Sequence, residues 1–521
     1  MMHREEVGAN LGRPWLDRLP LLVAAAIICL ITGWNLVRLV SAAAPRNPWE
    51  AAEVVEAYRS LSGLPVYESA PEGHATLMYG AFVPPVQAEL FRLLGPNNVS
   101  GRALSLASAL LTVTLIAIMM RSGPSAWYLV ISWALLFGVN HRSGQYFAEN
   151  RPDMPAILCA TVALYLMAIG LERKRWPYVV SGTVCLITGF FFKQSVAVMA
   201  AVPLVVLVVR ARRPAAAEIL LAVLHLAVMC AVIVGLKRLS PAVYHYMIEV
   251  PGGYNINRPR AVKFGWELLL DSPLFLFAIG EWIIFDQGSI RKDPRIPWLL
   301  ATLGVAIPTC AVAHAKVGGW PNSLLPAFLA MTAFCALRLP ALFYRMDTQG
   351  SPQSKRVILG AFLAVLVLMT TFPHLKYNDG LLVPRSRQDQ GYWPAVAFAR
   401  RLPGMVVCPE DPTIPLYAKG FAGRNLYTEK DALPTNGAWP TFTPQPVLDE
   451  LRSADYVVDV TNYDRKDVED GLLEQLGFEP APQAPMDLDC YKFWRRKAPG
   501  HTLVTSRVAL EESKPTQVMP R

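Results

Sequence analysis

For a chain of 521 residues, the sequence has little charge and no clustered metal ligands. Charged residues make up 17% of it, against about 25% in soluble domains, and 53% of the residues are hydrophobic. The mean hydropathy is +0.31. No cysteine spacing indicates a metal site, and we find neither a P-loop nor a dinucleotide-binding fingerprint. These absences argue against a soluble nucleotide-dependent enzyme.

The apolar residues are gathered into runs that are long enough to cross a hydrocarbon core of ~30 Å as helices. The first run covers about residues 19–40. The later runs lie near residues 101–120, 125–140, 154–171, 177–192, 195–209, 215–236, 268–285, 296–313, 321–339 and 357–375. The pattern predicts an α-helical polytopic membrane protein with roughly eleven spans.

Basic residues decide the predicted orientation. The net charge is +9, and nearly all the Lys and Arg clusters fall on one side if residues 1–19 are cytoplasmic. The loops 41–100, 141–153, 193–195, 238–267 and 314–320 and the tail from about residue 376 are then extracytoplasmic. A basic excess confined to short loops indicates membrane topology and argues against a nucleic-acid partner.

The sequence after the last apolar run differs in composition. Residues 1–377 form the predicted membrane module, and residues 378–498 mix strand-like runs, Met405 to Cys408 and Tyr456 to Val460, with helical patterns. The alternation predicts a small extracytoplasmic α/β domain. Cys408 and Cys490 could pair there in an oxidising compartment. Residues 499–521 are predicted to be a disordered tail.

One acidic stretch follows the first span. Glu50, Glu53 and Glu56 recur every third residue, which places them on one side of a helix. Pro48 suits the first turn and Gly63 the stop. We predict a short amphipathic helix against the membrane surface that delivers a carboxylate into a cavity; a solvated helix face is the alternative.

Further ionisable and polar residues lie at the same predicted side of the membrane. Lys193 and Lys316 could be anchors that snorkel to the interface, and Arg151 with Asp153 could form a loop ion pair or helix cap. Tyr79 lies in a stretch that could be a plain turn. Their shared side nevertheless favours one site for an anionic lipid headgroup and a polar second substrate. The candidates on this side are Glu50, Glu53, Tyr67, Tyr79, Arg151, Asp153, Lys193, Lys316 and Asn322.

The order of several motifs resembles the polytopic glycosyltransferases of the GT-C class. The resemblance is to proteins similar to protein O-mannosyltransferases, lipid A aminoarabinose transferases and the RgtA/B/C/D-like group. It covers about residues 20–400, and the tail loosely. The motifs are, in order, the acidic helix with its ending Ala57 to Tyr67, Tyr79-Gly80, Pro84-Pro85, Gly101-Arg102, Arg151-Pro-Asp153, Phe192-Lys193-Gln194, and Lys316-Val-Gly318 with Asn322.

The resemblance implies an inverting hexosyltransferase that uses a polyprenyl-phosphate sugar as donor. Many members have Asp-Glu where this chain has Trp49-Glu50, so the base is Glu50 or Glu53. It implies that Asp153 orients substrate hydroxyls and that Arg151, Lys193 and Lys316 hold the phosphate. Tyr67 and Tyr79 would wall the sugar pocket.

The implied setting is the outer face of a bacterial cytoplasmic membrane. The expected partners are membrane lipid, the lipid-linked donor and a glycan, lipid or protein acceptor. We expect no cofactor and no dedicated metal, because no carboxylate pair has the spacing of a metal site. Two other classes stay open: a lipid-linked sugar flippase, for which Glu281 is a candidate intramembrane charge, and a non-catalytic scaffold.

Overall fold

The structure is a computed structural model. It describes Ala26, Leu30, Gly33, Trp34 and residues 36–68, 73–120, 144–210, 213–349, 351, 387–433, 437–461, 470–481, 488 and 490–497. Most of the first predicted span, the predicted spans at 125–140 and 357–375, and the predicted tail at 499–521 lie outside these residues. The count of eleven spans and the domain boundary at 377/378 therefore stay predictions.

Two helices lie between the described helical residues 36–41 and the first long described membrane helix. They are α1, Pro48–Leu61, and α2, Val83–Leu94. Asn47 caps α1, because its side-chain oxygen accepts from the Glu50 amide at 3.1 Å. Gly63 adopts φ +71° just beyond the helix, which ends it as predicted.

The membrane module is built from nine further helices among the described residues. They are α3 Asn98–Met120, α4 Asp153–Arg173, α5 Trp176–Phe192, α6 Val202–Val209, α7 Ala216–Leu239, α8 Arg258–Asp271, α9 Pro273–Phe285, α10 Arg295–Ala315 and α11 Leu325–Gln349. Five described segments are long and apolar enough to cross a membrane: α3, α4, α7, α10 and Pro321–Pro340. The predicted polytopic helical architecture is confirmed.

Shorter helical pieces connect these helices. They are the 3-10 helices Gly144–Phe147, Gln194–Ala201 and Pro321–Leu324, the π-helix His245–Glu249, and the short α-helices Pro241–Tyr244, Val250–Gly252 and Ser289–Lys292.

Small residues bring α4 and α5 close together. A Cβ added at Gly182 or Gly189 would lie 3.0 Å from the carbonyl oxygen of Ala163 or Ala156. Such contacts are typical of helix pairs in membranes, where close backbone approach replaces hydrophobic driving force. This pair matters for the site, because Asp153 begins α4 and Lys193 follows α5.

The C-terminal part is a small α/β domain, as predicted. Its helices are α12 Arg387–Arg401, α13 Thr413–Lys419, α14 Leu426–Asp431, α15 Gln445–Ser453 and α16 Asp470–Gln475. Its strands are β1 Val406–Val407, β2 Tyr456–Val460, β3 Phe478–Pro480 and β4 Tyr491–Arg496. The strand order is β1-β2-β4-β3, and β1 pairs in parallel with β2 while the other pairs are antiparallel.

The order of the strands in the sheet keeps Cys408 and Cys490 apart. Cys408 follows β1, and Cys490 precedes β4, with β2 between these strands. Two strand spacings of about 4.8 Å already exceed the ~7 Å that Cα atoms of a disulfide tolerate. The pairing that the sequence left open therefore does not form in this structure.

Helix α1 lies between the membrane module and the C-terminal domain. The Asn425 amide donates to the Pro48 carbonyl at 2.9 Å, and the Trp49 indole donates to Asp431 at 2.7 Å. Glu50, Glu53 and most other residues of α1 are buried. The predicted helix is present, and the alternative of a solvated helix face was wrong, because Glu50, Glu53 and Glu56 are buried. Its position against the membrane surface stays a prediction.

Candidate functional site

The Glu50 carboxylate is held by a buried arginine. Arg102 Nε and Nη2 donate to its two oxygens at 3.0 and 2.6 Å, and both side chains are fully buried. The backbone amides of Arg46 and Asn150 each donate at 2.6 Å. Burial opposes ionisation, but these donors and the Arg102 charge lower the pKa of Glu50. The carboxylate is thus saturated with donors.

Arg102 also binds the backbone of the segment that precedes α1. Its two Nη atoms donate to the carbonyl oxygens of Leu39, Ala42 and Ala44 at 3.2, 2.5 and 2.7 Å. Sequence reasoning noted Arg102 as part of a motif but gave it no partner, because Glu50 lies 52 residues away.

Gly101 permits the close packing around this ion pair. A Cβ there would lie 1.9 Å from Oδ1 of Asn150, whose backbone amide donates to Glu50. We expect Gly101→Ala to displace Asn150 and lower the free energy of unfolding by about 1–3 kcal/mol. Thermal unfolding in detergent measures this. Gly304→Ala is the matched control, because a Cβ at Gly304 meets nothing within 4 Å; equal losses in both variants would contradict the role of Gly101.

Among the residues that the structure describes, Glu53 has no hydrogen-bond partner, in contrast to Glu50. Its side chain is 1% exposed, and neither carboxylate oxygen accepts a hydrogen bond. Burial raises the pKa of Glu53 well above its ordinary value, and the Glu56 carboxylate raises it further. The charges of Arg151 and Lys193 act in the opposite direction. A buried carboxylate without donors is costly, which marks this position as a candidate functional group.

Glu56 is the third acid on this face and is engaged elsewhere. Its Oε1 accepts from the Leu77 amide at 2.7 Å. Burial raises its pKa to about 7. Glu56 therefore acts on Glu53 mainly through charge when it is ionised.

Arg151 forms the first cationic group of the site. Nη1 donates to the Tyr79 hydroxyl at 3.0 Å, Nη2 donates to the Asn47 side chain at 3.1 Å, and Nε pairs with Glu149 at 2.9 Å. Its guanidinium lies 5.6 Å from the Trp49 ring centroid. The predicted loop ion pair exists, but with Glu149 as the partner.

Asp153, Lys193 and Asn322 form the second group. The Lys193 ammonium pairs with Asp153 Oδ1, and the Asn322 amide donates to both Asp153 oxygens at 3.3 Å. Lys193 Nζ also lies 5.4 Å from the Tyr79 ring centroid. Residues that are far apart in sequence thus meet at the ends of α4 and α5 and just before α11.

A loop carries the two tyrosines over the end of α5. The Gly80 and Phe82 amides donate to the carbonyls of Phe192 and Phe191 at 3.0 Å, and the Tyr67 hydroxyl donates to the Tyr79 carbonyl at 3.3 Å. A Cβ at Gly80 would lie 1.8 Å from the Phe191 oxygen, so only glycine fits there.

Lys316 belongs to a different set of contacts. Its ammonium donates to the Pro251 carbonyl at 2.9 Å, and its backbone bridges to Ile256. It therefore holds the segment before α8 against the end of α10. The structure brings together seven of the nine predicted site residues. Glu50 lies beside them in an ion pair with Arg102, and Lys316 has a separate contact.

An apolar cavity of about 300 Å³ begins one turn beyond Asp153. It follows α4 from Ile157 to Glu172, which is about 22 Å along a helix. Its lining includes Leu164, Met199, Trp298, Leu299, Pro326 and Leu329. Its charged lining residues, Glu172 and Arg295, lie at the end far from Asp153. A long apolar cavity whose near end lies one helical turn from Asp153 suits a ligand with a hydrocarbon chain.

Glu281, the candidate intramembrane charge, is also paired. Arg338 Nη2 donates to both of its oxygens at 3.0 and 2.8 Å, and Arg338 Nη1 donates to Asp286 at 2.8 Å. This bidentate pair has the geometry of a fixed helix contact between α9 and α11.

Comparisons with known proteins agree with this architecture. Residues 81–236 match the family described as dolichyl-phosphate-mannose-protein mannosyltransferase. That region contains Arg102, Arg151, Asp153 and Lys193 and begins after Glu53. No curated protein sequence matches the chain significantly.

Several solved structures resemble the chain at low sequence identity, and those of ArnT share its fold. ArnT from Cupriavidus metallidurans bound to undecaprenyl phosphate has a TM-score of 0.55 and 14% identity, over 94% of this chain and 99% of that chain. The same protein in the apo state has a TM-score of 0.53 and 13% identity, over 93% and 98%. The archaeal oligosaccharyltransferase AglB from Archaeoglobus fulgidus has a TM-score of 0.48 and 12% identity, over 90% and 74%. The chain has the polytopic fold of the GT-C class.

Proposed function

We propose that this chain transfers a sugar from a polyprenyl-phosphate donor to an acceptor hydroxyl, with Glu53 as the base. The observation that carries the proposal is the buried Glu53 carboxylate without a hydrogen-bond partner, in the field of Arg151 and Lys193. Glu50 is the less suitable base, because Arg102 and two backbone amides already occupy its oxygens.

The cavity and the cations supply the donor site in this proposal. The isoprenoid chain lies in the apolar cavity along α4, and the phosphate lies near Lys193 and Arg151. The similarity in fold to ArnT, whose crystal structure contains undecaprenyl phosphate, supports this class of donor. Asp153 holds Lys193 in position and offers an oxygen to a sugar hydroxyl.

One displacement completes the reaction. The acceptor oxygen forms a bond to the anomeric carbon, the bond from that carbon to the phosphate oxygen breaks, and its electron pair leaves with the polyprenyl phosphate. The acceptor proton goes to Glu53. Lys193 and Arg151 stabilise the charge that returns to the phosphate. A single displacement inverts the anomeric centre.

The proposed location is the outer face of a cytoplasmic membrane, with the C-terminal domain extracytoplasmic. The positive-inside distribution of Lys and Arg supports this orientation. That the reaction needs no divalent metal also stays a prediction, which transfer in the presence of a chelator would test.

A liposome assay tests the function. The full chain receives undecaprenyl phosphate carrying radiolabelled mannose, glucose or aminoarabinose in parallel, together with delipidated envelope material. We expect label to join acceptor material with one of these donors. Movement of intact labelled lipid across the bilayer would indicate a flippase instead, and binding without turnover would indicate a scaffold.

Lys193 provides a test of the donor site. We expect Lys193→Met to raise the donor KM by about 10- to 100-fold, because a charge-assisted contact to phosphate contributes about 1.5–3 kcal/mol. Lys193→Arg should recover part of this. Lys316→Met is the matched control, since its ammonium binds the Pro251 carbonyl. A rise in donor KM for Lys316→Met that equals or exceeds the rise for Lys193→Met would contradict the assignment of Lys193 to the donor phosphate.

A further inference from the structure

Four aromatic side chains meet where α1, the segment before α11 and the C-terminal domain come together. The ring centroids of Trp49 and Trp320 are 5.8 Å apart, those of Trp49 and Tyr427 are 5.4 Å apart, and Tyr427 stacks on Trp439 at 5.9 Å. We name Trp49, Trp320, Tyr427 and Trp439 the aromatic platform.

One buried carboxylate fixes two of these rings. Asp431 accepts from the indole nitrogens of Trp49 at 2.7 Å and of Trp439 at 2.9 Å. Lys430 Nζ lies 4.9 Å from the Trp439 ring centroid. These hydrogen bonds satisfy the two indole N–H groups and fix the orientation of their rings.

The platform reaches from solvent to the proposed base. Trp320 is 47% exposed, and the Trp49 ring is half-buried. Trp49 and Glu53 are four residues apart on α1, so their Cβ atoms are about 5–6 Å apart on one face of the helix. The Arg151 guanidinium lies over the Trp49 ring, 5.6 Å from its centroid. An acceptor resting on Trp320 and Trp49 would therefore extend toward Glu53.

We propose that the aromatic platform binds a saccharide acceptor, which makes the acceptor of the proposed transfer a glycan. This inference rests on the proposed function. The C–H face of a pyranose ring carries partial positive charge, and the face of an indole carries partial negative charge, so the two stack. The hydroxyls at the edge of the sugar ring then stay free to react, and one of them faces Glu53.

A peptide acceptor fits the same geometry less well. Extended peptides are recognised mainly through their backbone hydrogen-bonding groups and alternate side chains. The platform instead presents ring faces and edges, and the indole N–H groups of Trp49 and Trp439 are already donated to Asp431.

Substitution of the exposed indole tests the saccharide site. The full chain in liposomes receives labelled donor and glycan released from the envelope, delipidated and freed of protein by protease. We expect Trp320→Ala to raise the KM for glycan by about tenfold, corresponding to the loss of one stacking contact. Trp320→Phe should raise it less, and the donor KM should stay within twofold. Trp266→Ala is the matched control, because Trp266 on α8 is 63% exposed and takes no part in the ring contacts that define the platform.

Several outcomes would overturn the inference. An unchanged glycan KM in Trp320→Ala would do so, as would label that enters only protease-sensitive material, which would identify a peptide acceptor. A lower unfolding temperature, together with an equal rise in the KM for glycan and the KM for donor, would identify Trp320 as an interfacial anchor.

Binding without turnover separates this inference from the proposed function. Saturation-transfer NMR of the same glycan on the reconstituted chain needs no donor. If the wild type consumes no donor but binds glycan, and Trp320→Ala weakens that binding about tenfold, the transferase proposal fails and the saccharide site stands. If the wild type transfers sugar but neither the wild type nor Trp320→Ala binds glycan, the saccharide site fails and the transferase proposal stands.

Discussion

Glu53→Gln should lower sugar transfer by about 10²- to 10⁴-fold, the range that a general base contributes. The amide keeps the size of the side chain but cannot take the acceptor proton. Folding should be preserved or improved, because the carboxylate has no hydrogen-bond partner to lose and the change removes a buried charge that is costly when ionised. Transfer from labelled donor in liposomes measures the rate, and thermal unfolding measures the stability.

The pH dependence gives this prediction a second signature. Burial and the neighbouring Glu56 raise the pKa of Glu53, so the free enzyme holds this proton to higher pH than an exposed glutamate does. The value of kcat/KM should therefore rise with pH as Glu53 ionises, with an apparent pKa above the ordinary 4.5. The same ionisation should cost folding stability, because the unfolded chain releases the proton at lower pH. Full transfer by Glu53→Gln at neutral pH would remove Glu53 as the base.

Arg102→Met should destabilise the fold strongly, by about 3–5 kcal/mol, the cost of breaking a buried ion pair. The substitution leaves Glu50 without its counter-ion and frees the carbonyls of Leu39, Ala42 and Ala44. We expect a lower unfolding temperature and a smaller folded fraction on size exclusion in detergent.

A matched control separates this loss from a surface effect. Arg92 forms an exposed ion pair with Glu89, and such pairs contribute about 0–1 kcal/mol. Arg92→Met should therefore leave the unfolding temperature nearly unchanged. Equal effects of the two substitutions would show that the Glu50–Arg102 pair does not anchor the entry to α1.

The helices of this protein follow from local pattern. Pro48 and Gly63 bracket α1 as expected, and the long apolar runs give membrane-length helices. Tyr456–Val460 forms the predicted strand β2, because its three valines suit a strand that is buried on both faces. Strands β3 and β4 were not predicted, since their short sequences carry weak alternation and depend on pairing with β2.

The sequence could not predict that Glu50 forms the buried ion pair and that Glu53 is the candidate base. Both acids lie on one helix face at equivalent spacing. Arg102 and Asn150 reach one of them only after folding, from 52 and 100 residues away. The covering of α1 by the C-terminal domain was equally hidden, because contacts such as Trp49 to Asp431 span 382 residues.

The most direct test of the proposed site is a structure of the full chain with a polyprenyl-phosphonate sugar that cannot be cleaved. We expect the phosphonate against Lys193 and Arg151, the isoprenoid chain along α4, and Glu53 roughly 6 Å from the anomeric carbon. That distance leaves room for one acceptor hydroxyl between them, from a hydrogen bond of ~3 Å and an attack distance of ~3 Å. A sugar bound at another face, or an anomeric carbon turned away from Glu53, would contradict the account.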